Sequence, residues 1–385
     1  MSEPIAASGN VHWAGTGLSS GSGLAELAGA ARRVTLWGRS VAKAERRLAD
    51  LGLSGRVAAA DIAGLPVAVG PGDVVISMLP ATEHAALLRL CLDRGAHFAC
   101  TSYVSPELAA ADGPARAGGL VVLTEAGLDP GIDHLFAHDL VARARKAVGD
   151  GPASVRFTSF CGGVPAEPND FRYRFSWAPR GVLSALGSPA RSIEKGEPRT
   201  VERPWEAVTE YDLDGEVFEV YPNRDSVPFV AQYDFPDGWR PETFVRGTLR
   251  LGGWREAWRD VFAVVRDGGP ADLDALATEL AARYPMRPGD RDRVVLAVEL
   301  DVTTGSGSWS GRYLLDAVGD EHETAMARTV SLPLAYGVLE ILAGSTPAGL
   351  HRALADPAAA GRGLTFLRGR GLDCALSTPD RTGEI

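Results

Sequence analysis

Four cysteines in 385 residues (Cys91, Cys100, Cys161 and Cys374) are too few and too scattered for a disulfide framework. No CxxC or CxxH spacing occurs among them, so no structural zinc site is expected. Positive charge is also short, with 39 Lys and Arg against 49 Asp and Glu and a net charge of -10. Nucleic acids and anionic membranes need a basic face, and this balance argues against both. No uncharged apolar run reaches the roughly 18 residues of a membrane span. The first ten residues carry no basic stretch leading into an apolar one, so no signal peptide is expected. Internal repeats are missing too. These absences predict a reduced, cytoplasmic protein that holds anionic ligands through individual arginines.

What is present is ordinary for a globular chain: 45% hydrophobic and 23% charged residues. The length is too great for one core and predicts two domains. Short apolar runs at Val11–Ala14, Val34–Trp37, Val57–Ala60, Val74–Met78, Phe98–Cys100 and Leu120–Leu123 alternate with helical stretches. Those stretches are Leu24–Ala30, Val41–Leu51, Glu83–Arg94 and Pro106–Ala117, the pattern of a doubly wound parallel sheet. A longer helix follows from Asp133, its expected N-cap, to Val148. After Gly149-Asp150-Gly151-Pro152 the runs alternate as antiparallel strands do: Val155–Phe160, Phe171–Trp177, Val217–Val220, Phe244–Leu251, Val294–Val302 and Trp309–Leu315. Leu273–Arg283 reads as a lone helix there, and Ala325–Leu342 as an apolar helix interrupted at Pro333. The expected architecture is a Rossmann-type α/β domain over 1–132, an α+β substrate domain over 133–323, and a C-terminal segment over 324–385.

Gly15-Thr16-Gly17 follows the first strand and opens a helix, the setting a dinucleotide fingerprint requires. The first glycine makes the turn, the second admits the pyrophosphate, and the helix N-terminus offers free N–H groups. Ser20 stands where the third small residue belongs. The second strand ends in Gly38-Arg39-Ser40 rather than in the carboxylate that holds NAD ribose hydroxyls. A guanidinium and a hydroxyl, with Lys43 nearby, favour the 2′-phosphate of NADP. Asp61 is placed for the adenine edge and Leu79-Pro80 for the nicotinamide side.

Further along, Tyr103, Asp129 and Cys161 lie at three strand ends, where α/β sheets bind ligands. A phenol, a carboxylate and a thiol can each donate, accept or relay a proton. Asp129 can also hold an ammonium group, and His84 and His134 are read as orienting neighbouring backbone. Alternation puts Arg246, Thr248 and Arg250 on one strand face, suited to a molecule with several carboxylates. Arg224 projects from a Pro-Asn-Arg-Asp-Ser turn, with pairing to Asp225 or Glu242 as its alternative fate.

Five blocks carry a resemblance: Cys100-Thr101-Ser102-Tyr103-Val104-Ser105-Pro106, Glu125-Ala126-Gly127-Leu128-Asp129-Pro130-Gly131-Ile132-Asp133-His134, Cys161-Gly162-Gly163, Tyr221–Ser226 and Arg246–Arg250. Together they resemble the saccharopine reductase family, the NADP-dependent, glutamate-forming saccharopine dehydrogenases. The resemblance implies reduction by NADPH of an imine between glutamate and α-aminoadipate semialdehyde, or the reverse oxidation of saccharopine, with Tyr103, Asp129 and Cys161 brought together. It implies substrate contacts at Ser102, Tyr103, Asp129, Arg224, Thr248, Leu249 and Arg250. For the cofactor it implies Gly15, Thr16, Gly17, Leu18, Gly38, Arg39, Ser40, Asp61, Leu79, Thr101, Ser102, Leu128 and Ala178. It also implies that the C-terminal helix returns to the nucleotide domain. The sequence departs from the family at His12-Trp13, in a short segment between Gly163 and Phe175, and in a reduced helical region between Leu251 and Asp290. Another amino-acid pair, a diamine as in carboxynorspermidine synthesis, and a silent NADP-binding regulator are the alternatives; a homodimer is left open.

Overall fold

The computed structural model describes residues 5–175, 179–287, 289–354 and 356–378. The chain divides into two units. One takes the residues up to Leu135 with Ala327–Arg370, and the other takes Phe136–Met326 with the stretch from Gly371 onward. The expected 324–385 segment is therefore split, since its last strand leaves the first unit.

In the first unit the strands are β1 (Asn10–Ala14), β2 (Arg33–Gly38), β3 (Ala58–Asp61), β4 (Val74–Ser77), β5 (His97–Cys100) and β6 (Val121–Thr124). β4, β5 and β6 are buried at every position, as parallel strands covered on both faces must be. All pairings are parallel. The order is the doubly wound one, reversing between β1 and β4, with Gly349–Arg352 added beyond β6. One face packs against Leu24, Leu27, Ala44 and Leu48 together with Leu334, Ala335, Val338 and Ile341 of the helix Ala325–Leu342. The opposite face packs against Leu87, Leu88, Cys91, Leu108 and Ala115.

The helix Ala325–Leu342 is long and apolar enough to cross a membrane by composition, yet its apolar side chains are in this core. It runs through Pro333 instead of stopping there. One missing N–H removes one rung, and packing on both flanks holds the rest. The expected helix Pro106–Ala117 is two short helices, Pro106–Ala109 and Asp112–Gly118.

The second unit carries β7 (Ala153–Pro165), β8 (Ala190–Glu194), β9 (Glu197–Val201), β10 (Thr209–Leu213), β11 (Glu216–Pro222), β12 (Trp239–Leu251), β13 (Asp292–Thr304) and β14 (Gly307–Val318). Numbering Gly349–Arg352 as β15, the last strand is β16 (Cys374–Ser377). The mixed sheet runs β10-β11-β12-β7-β13-β14-β16, and β8 joins β12 beside β9. Its short strands β8, β9, β10 and β16, like β15 of the first unit's sheet, are not marked by the sequence pattern.

The expected strand at Phe171–Trp177 is not one. Phe171–Phe175 forms a turn closed by Asn169, whose side chain donates to the Tyr173 carbonyl (2.9 Å) and accepts from the Tyr173 N–H (3.1 Å). Residues 176 and 177 lie outside the described stretches. Its aromatics join a cluster with Trp254, Trp258, Val261 and Phe262. Trp254 belongs to the helix Trp254–Ala257, Val261 and Phe262 belong to Arg259–Asp267, and Trp258 joins the two; both precede Pro270–Arg283, where one helix is expected.

Candidate active site

The turn after β1 needs its first glycine. Gly15 has φ 123°, and a Cβ there would lie 2.7 Å from the Met78 carbonyl oxygen. A Cβ on Gly17 would meet nothing within 4 Å, which leaves the space above the turn free for a phosphate. Ser20 serves the turn itself: it accepts from the Trp13 indole (3.1 Å) and donates to the Gly15 carbonyl (3.2 Å). Close helix packing falls instead to Gly23, where a Cβ would lie 2.0 Å from the Ser331 carbonyl oxygen. Arg47 ties the outside of the loop by donating to the carbonyls of Leu18 and Ser20. Gly21 at the N-cap of the helix Ser22–Ala30 offers no capping side chain, the Gly23 N–H is taken by Ser331 Oγ at 3.0 Å, and the positive end of the helix still favours an anion above the glycine turn.

Arg39 and Ser40 are exposed at the end of β2. Ser40 also caps the helix Val41–Asp50 through the Lys43 N–H (3.3 Å). Asp61 is a helix cap too, accepting from the Ala63 N–H at 2.9 Å. Leu79 packs partly buried against the sheet. Ala178 lies outside the described residues.

At the ends of β4 and β5, the His84 imidazole bridges two hydroxyls, 2.8 Å from Ser77 Oγ and 2.8 Å from Ser102 Oγ. Burial lowers its pKa from an already near-neutral value, so the ring is uncharged at pH 7. It thus orients side chains and not backbone. Burial also pushes the Cys100 thiol up to about 12, leaving it inert.

Tyr103 Oη donates to Asp129 Oδ1 at 2.7 Å, so the two expected groups of this unit meet. Asp129 stands in a folded-back loop where Gly127 N–H donates to the Pro130 carbonyl and Ile132 N–H to the Gly127 carbonyl, both at 2.9 Å. Gly131 (φ 149°) cannot be replaced there, because a Cβ would fall 1.9 Å from Gly127 O. Thr101 abuts this loop and Leu128 is buried within it. Asp133 is not the N-cap expected of it. It lies inside the helix Ile132–Val148, and its carboxylate accepts from the Gly131 N–H at 2.6 Å.

In the second unit, register sets one polar face. Thr248 of β12 pairs with both Cys161 of β7 and Tyr221 of β11, and Arg246 pairs with Ser159. Register partners project to the same side, so Cys161, Thr248, Arg246 and Arg250 share a face. Arg250 is only 8% exposed, and its guanidinium carbon lies 5.0, 5.9 and 5.7 Å from the ring centres of Tyr173, Tyr221 and Trp254. Its Nε has no hydrogen-bond partner among the described residues. Arg246 stacks over Phe229 at 4.0 Å. Leu249 departs from expectation: it projects to the opposite face and is fully buried with Phe218, Val220 and Val295. Arg224 is exposed at φ 58°, while Asp225 is engaged by Arg191 at 3.4 Å. Pattern reading misses the Trp254 and Tyr173 walls, for neither stands near a motif.

Residues 11–123 match the family described as saccharopine dehydrogenase NADP binding domain, and residues 127–372 the saccharopine dehydrogenase C-terminal domain. The chain is 36% identical over 231 residues to saccharopine dehydrogenase [NADP(+), L-glutamate-forming] of Schizosaccharomyces pombe, covering 58% of this chain and 50% of that protein. It is 28% identical over 355 residues to the mitochondrial alpha-aminoadipic semialdehyde synthase of Bos taurus, covering 73% of this chain and 38% of that one. The match thus spans half or less of these curated relatives. Among solved structures, the apo saccharopine dehydrogenase (L-Glu forming) of Saccharomyces cerevisiae is similar, with a TM-score of 0.80 and 25% identity over 96% of this chain and 99% of that one.

Proposed function

The chain belongs to the saccharopine dehydrogenase family, and from that premise we propose that it forms or oxidises saccharopine with NADP(H). The amine of glutamate would condense with the aldehyde of α-aminoadipate semialdehyde, losing water, and a hydride and a proton would then reduce the imine to a secondary amine. The observation that carries this reading is Arg250, a buried cation boxed by three aromatic rings and matched by no carboxylate among the described ion pairs. A buried guanidinium is costly unless an anion meets it, and a substrate carboxylate is such an anion.

The residues of the first unit fit a dinucleotide. Gly17 is unobstructed, the positive end of the helix Ser22–Ala30 follows the glycine turn, and an exposed guanidinium stands at the end of β2 where NAD enzymes place an acid. NADPH, when bound, supplies the hydride. Tyr103 and Asp129 then manage charge at the substrate nitrogen: the phenol donates a proton, while the carboxylate orients it and holds the resulting ammonium. Ser102, aligned by His84, offers a further hydroxyl. Arg246, Thr248 and Arg250 grip carboxylates, and Cys161 shares their face. A diamine would call for acidic groups where these arginines stand.

The test follows NADPH absorbance with saccharopine and NADP at alkaline pH. Turnover with saccharopine, and its loss in Arg250→Ala with NADP binding intact, is the expected result. Turnover only with other N-carboxyalkyl amino acids would replace the substrate. Equal use of NAD and NADP, unchanged in Arg39→Ala, would remove the cofactor preference.

A further inference from the structure

Glu125 is a residue out of place by ordinary rules. It is a carboxylate with 3% exposure, and it has a left-handed backbone at φ 54° that its side chain does not favour. Its bonds explain the cost. The Glu125 N–H donates to the Ser102 carbonyl at 3.1 Å, and its Oε1 accepts from the Val104 N–H at 3.1 Å. One residue therefore holds the backbone on both sides of Tyr103. Asp133 treats Asp129 in the same way. Its Oδ1 accepts from the Gly131 N–H at 2.6 Å, and its own N–H donates to the Leu128 carbonyl at 3.2 Å. His134, fully buried, lies between the two acids, with Nε2 3.1 Å from Glu125 Oε2 and Nδ1 3.3 Å from Asp133 Oδ2.

We infer that Glu125 and His134, with Asp133, form a buried brace that positions the Tyr103–Asp129 pair. They are positioning residues that act through that pair. A purely structural site would be better filled by apolar side chains, because buried ionic arrays rarely stabilise more than well-packed hydrophobes. Here each acid binds the chain on either side of one member of the pair, and the imidazole packs between the two. The spacing that places the phenol 2.7 Å from the carboxylate is thereby set from behind. The inference rests on the proposed role of Tyr103 and Asp129, so its test needs one readout independent of turnover.

That test uses the full chain carrying 3-fluorotyrosine, with the Tyr103 fluorine resonance assigned by its disappearance in Tyr103→Phe. Glu125→Ala should lower kcat about 100-fold, the scale on which small misplacements act. KM for saccharopine and the affinity for NADPH should stay within about threefold. The nearly isosteric Glu125→Gln keeps an oxygen for the Val104 N–H and should recover to within about tenfold of the parent kcat. It serves as the sole test if the alanine variant fails to fold, and in both variants the Tyr103 resonance should shift. Parent-like kcat with an unmoved resonance in Glu125→Gln and His134→Gln overturns the brace. So does a fall in stability and affinity without any change at Tyr103. If the parent ignores saccharopine but the resonance still responds, the brace stands and the substrate assignment falls. If the parent turns over saccharopine and nothing responds, the reverse holds.

Discussion

Leu249 and Arg250 are neighbours with opposite fates. The resemblance places both against substrate, but strand alternation sends Leu249 into the core and Arg250 into an aromatic box. Leu249→Ala is expected to cost about 2–5 kcal/mol of stability, as buried leucines do, with little effect on KM. Arg250→Met should do the converse: a charge-assisted hydrogen bond lost to substrate is about 1.5–3 kcal/mol, or roughly 10–100-fold in KM. Its melting temperature should hold or rise, since a buried charge is removed. Denaturant curves beside initial rates separate the two. Alternation was legible before any coordinates, and it outranks resemblance on this point. Glu125 was not legible: nothing in a one-dimensional pattern marks a buried acid in a left-handed turn.

Elements were readable where apolar period and length agreed. The six strands of the nucleotide sheet emerge within a residue or so of their expected places, because fully buried parallel strands are dense in Val, Ile and Leu. Of the three helices between Trp254 and Arg283 the pattern marks only Leu273–Arg283, because Trp254–Ala257 is too short to set a period and Gly268-Gly269 cuts off Arg259–Asp267. Gly23 shows how tightly elements can depend on one atom. Gly23→Ala forces the helix Ser22–Ala30 off Ser331, and overpacking of this kind typically costs about 1–3 kcal/mol. Its melting temperature should fall and its NADP dissociation constant should rise.

A second element junction makes a prediction about acid. Asp73 precedes β4 and joins it to β1 by accepting from Ser8 (2.5 Å), Asn10 (3.0 Å) and the Gly70 N–H (2.8 Å), with His12 Nε2 at 3.0 Å. The Trp37 indole donates to His12 Nδ1, which leaves Nε2 as the protonated nitrogen. Burial opposes the charge on Asp73, but these bonds outweigh it and hold the carboxyl below its ordinary value. The stabilisation is complete above the ordinary carboxylate range and is lost as pH falls through the lowered value. Asp73→Asn should therefore be less stable at pH 7 and show a flatter loss of stability below about pH 4, read from urea midpoints across pH.

At the scale of the whole molecule, the first unit is discontinuous in sequence. Its core takes Leu334, Ala335, Val338 and Ile341 from the helix Ala325–Leu342, and β15 covers β6. A fragment ending at Leu135 is expected to remain unfolded by circular dichroism, since one sheet face would lose its cover. Removal of everything after Arg370 strips β16 from β14 and exposes that edge. Such a truncation should aggregate under conditions where the full chain stays in solution, as light scattering would show. The return of the C-terminal segment was implied by resemblance alone. Its last strand was missed because four residues set no period of their own.

This discontinuity also governs how the protein is born. A ribosome that has finished Thr124 has released six strands whose outer neighbour, β15, is more than two hundred codons away. Until Arg352 emerges, the nascent sheet keeps an apolar face and an open edge. The second sheet, complete but for β16, is meanwhile free to close first. Synthesis order and folding order are thus inverted, and the early sheet is the natural client for chaperones that shield growing chains.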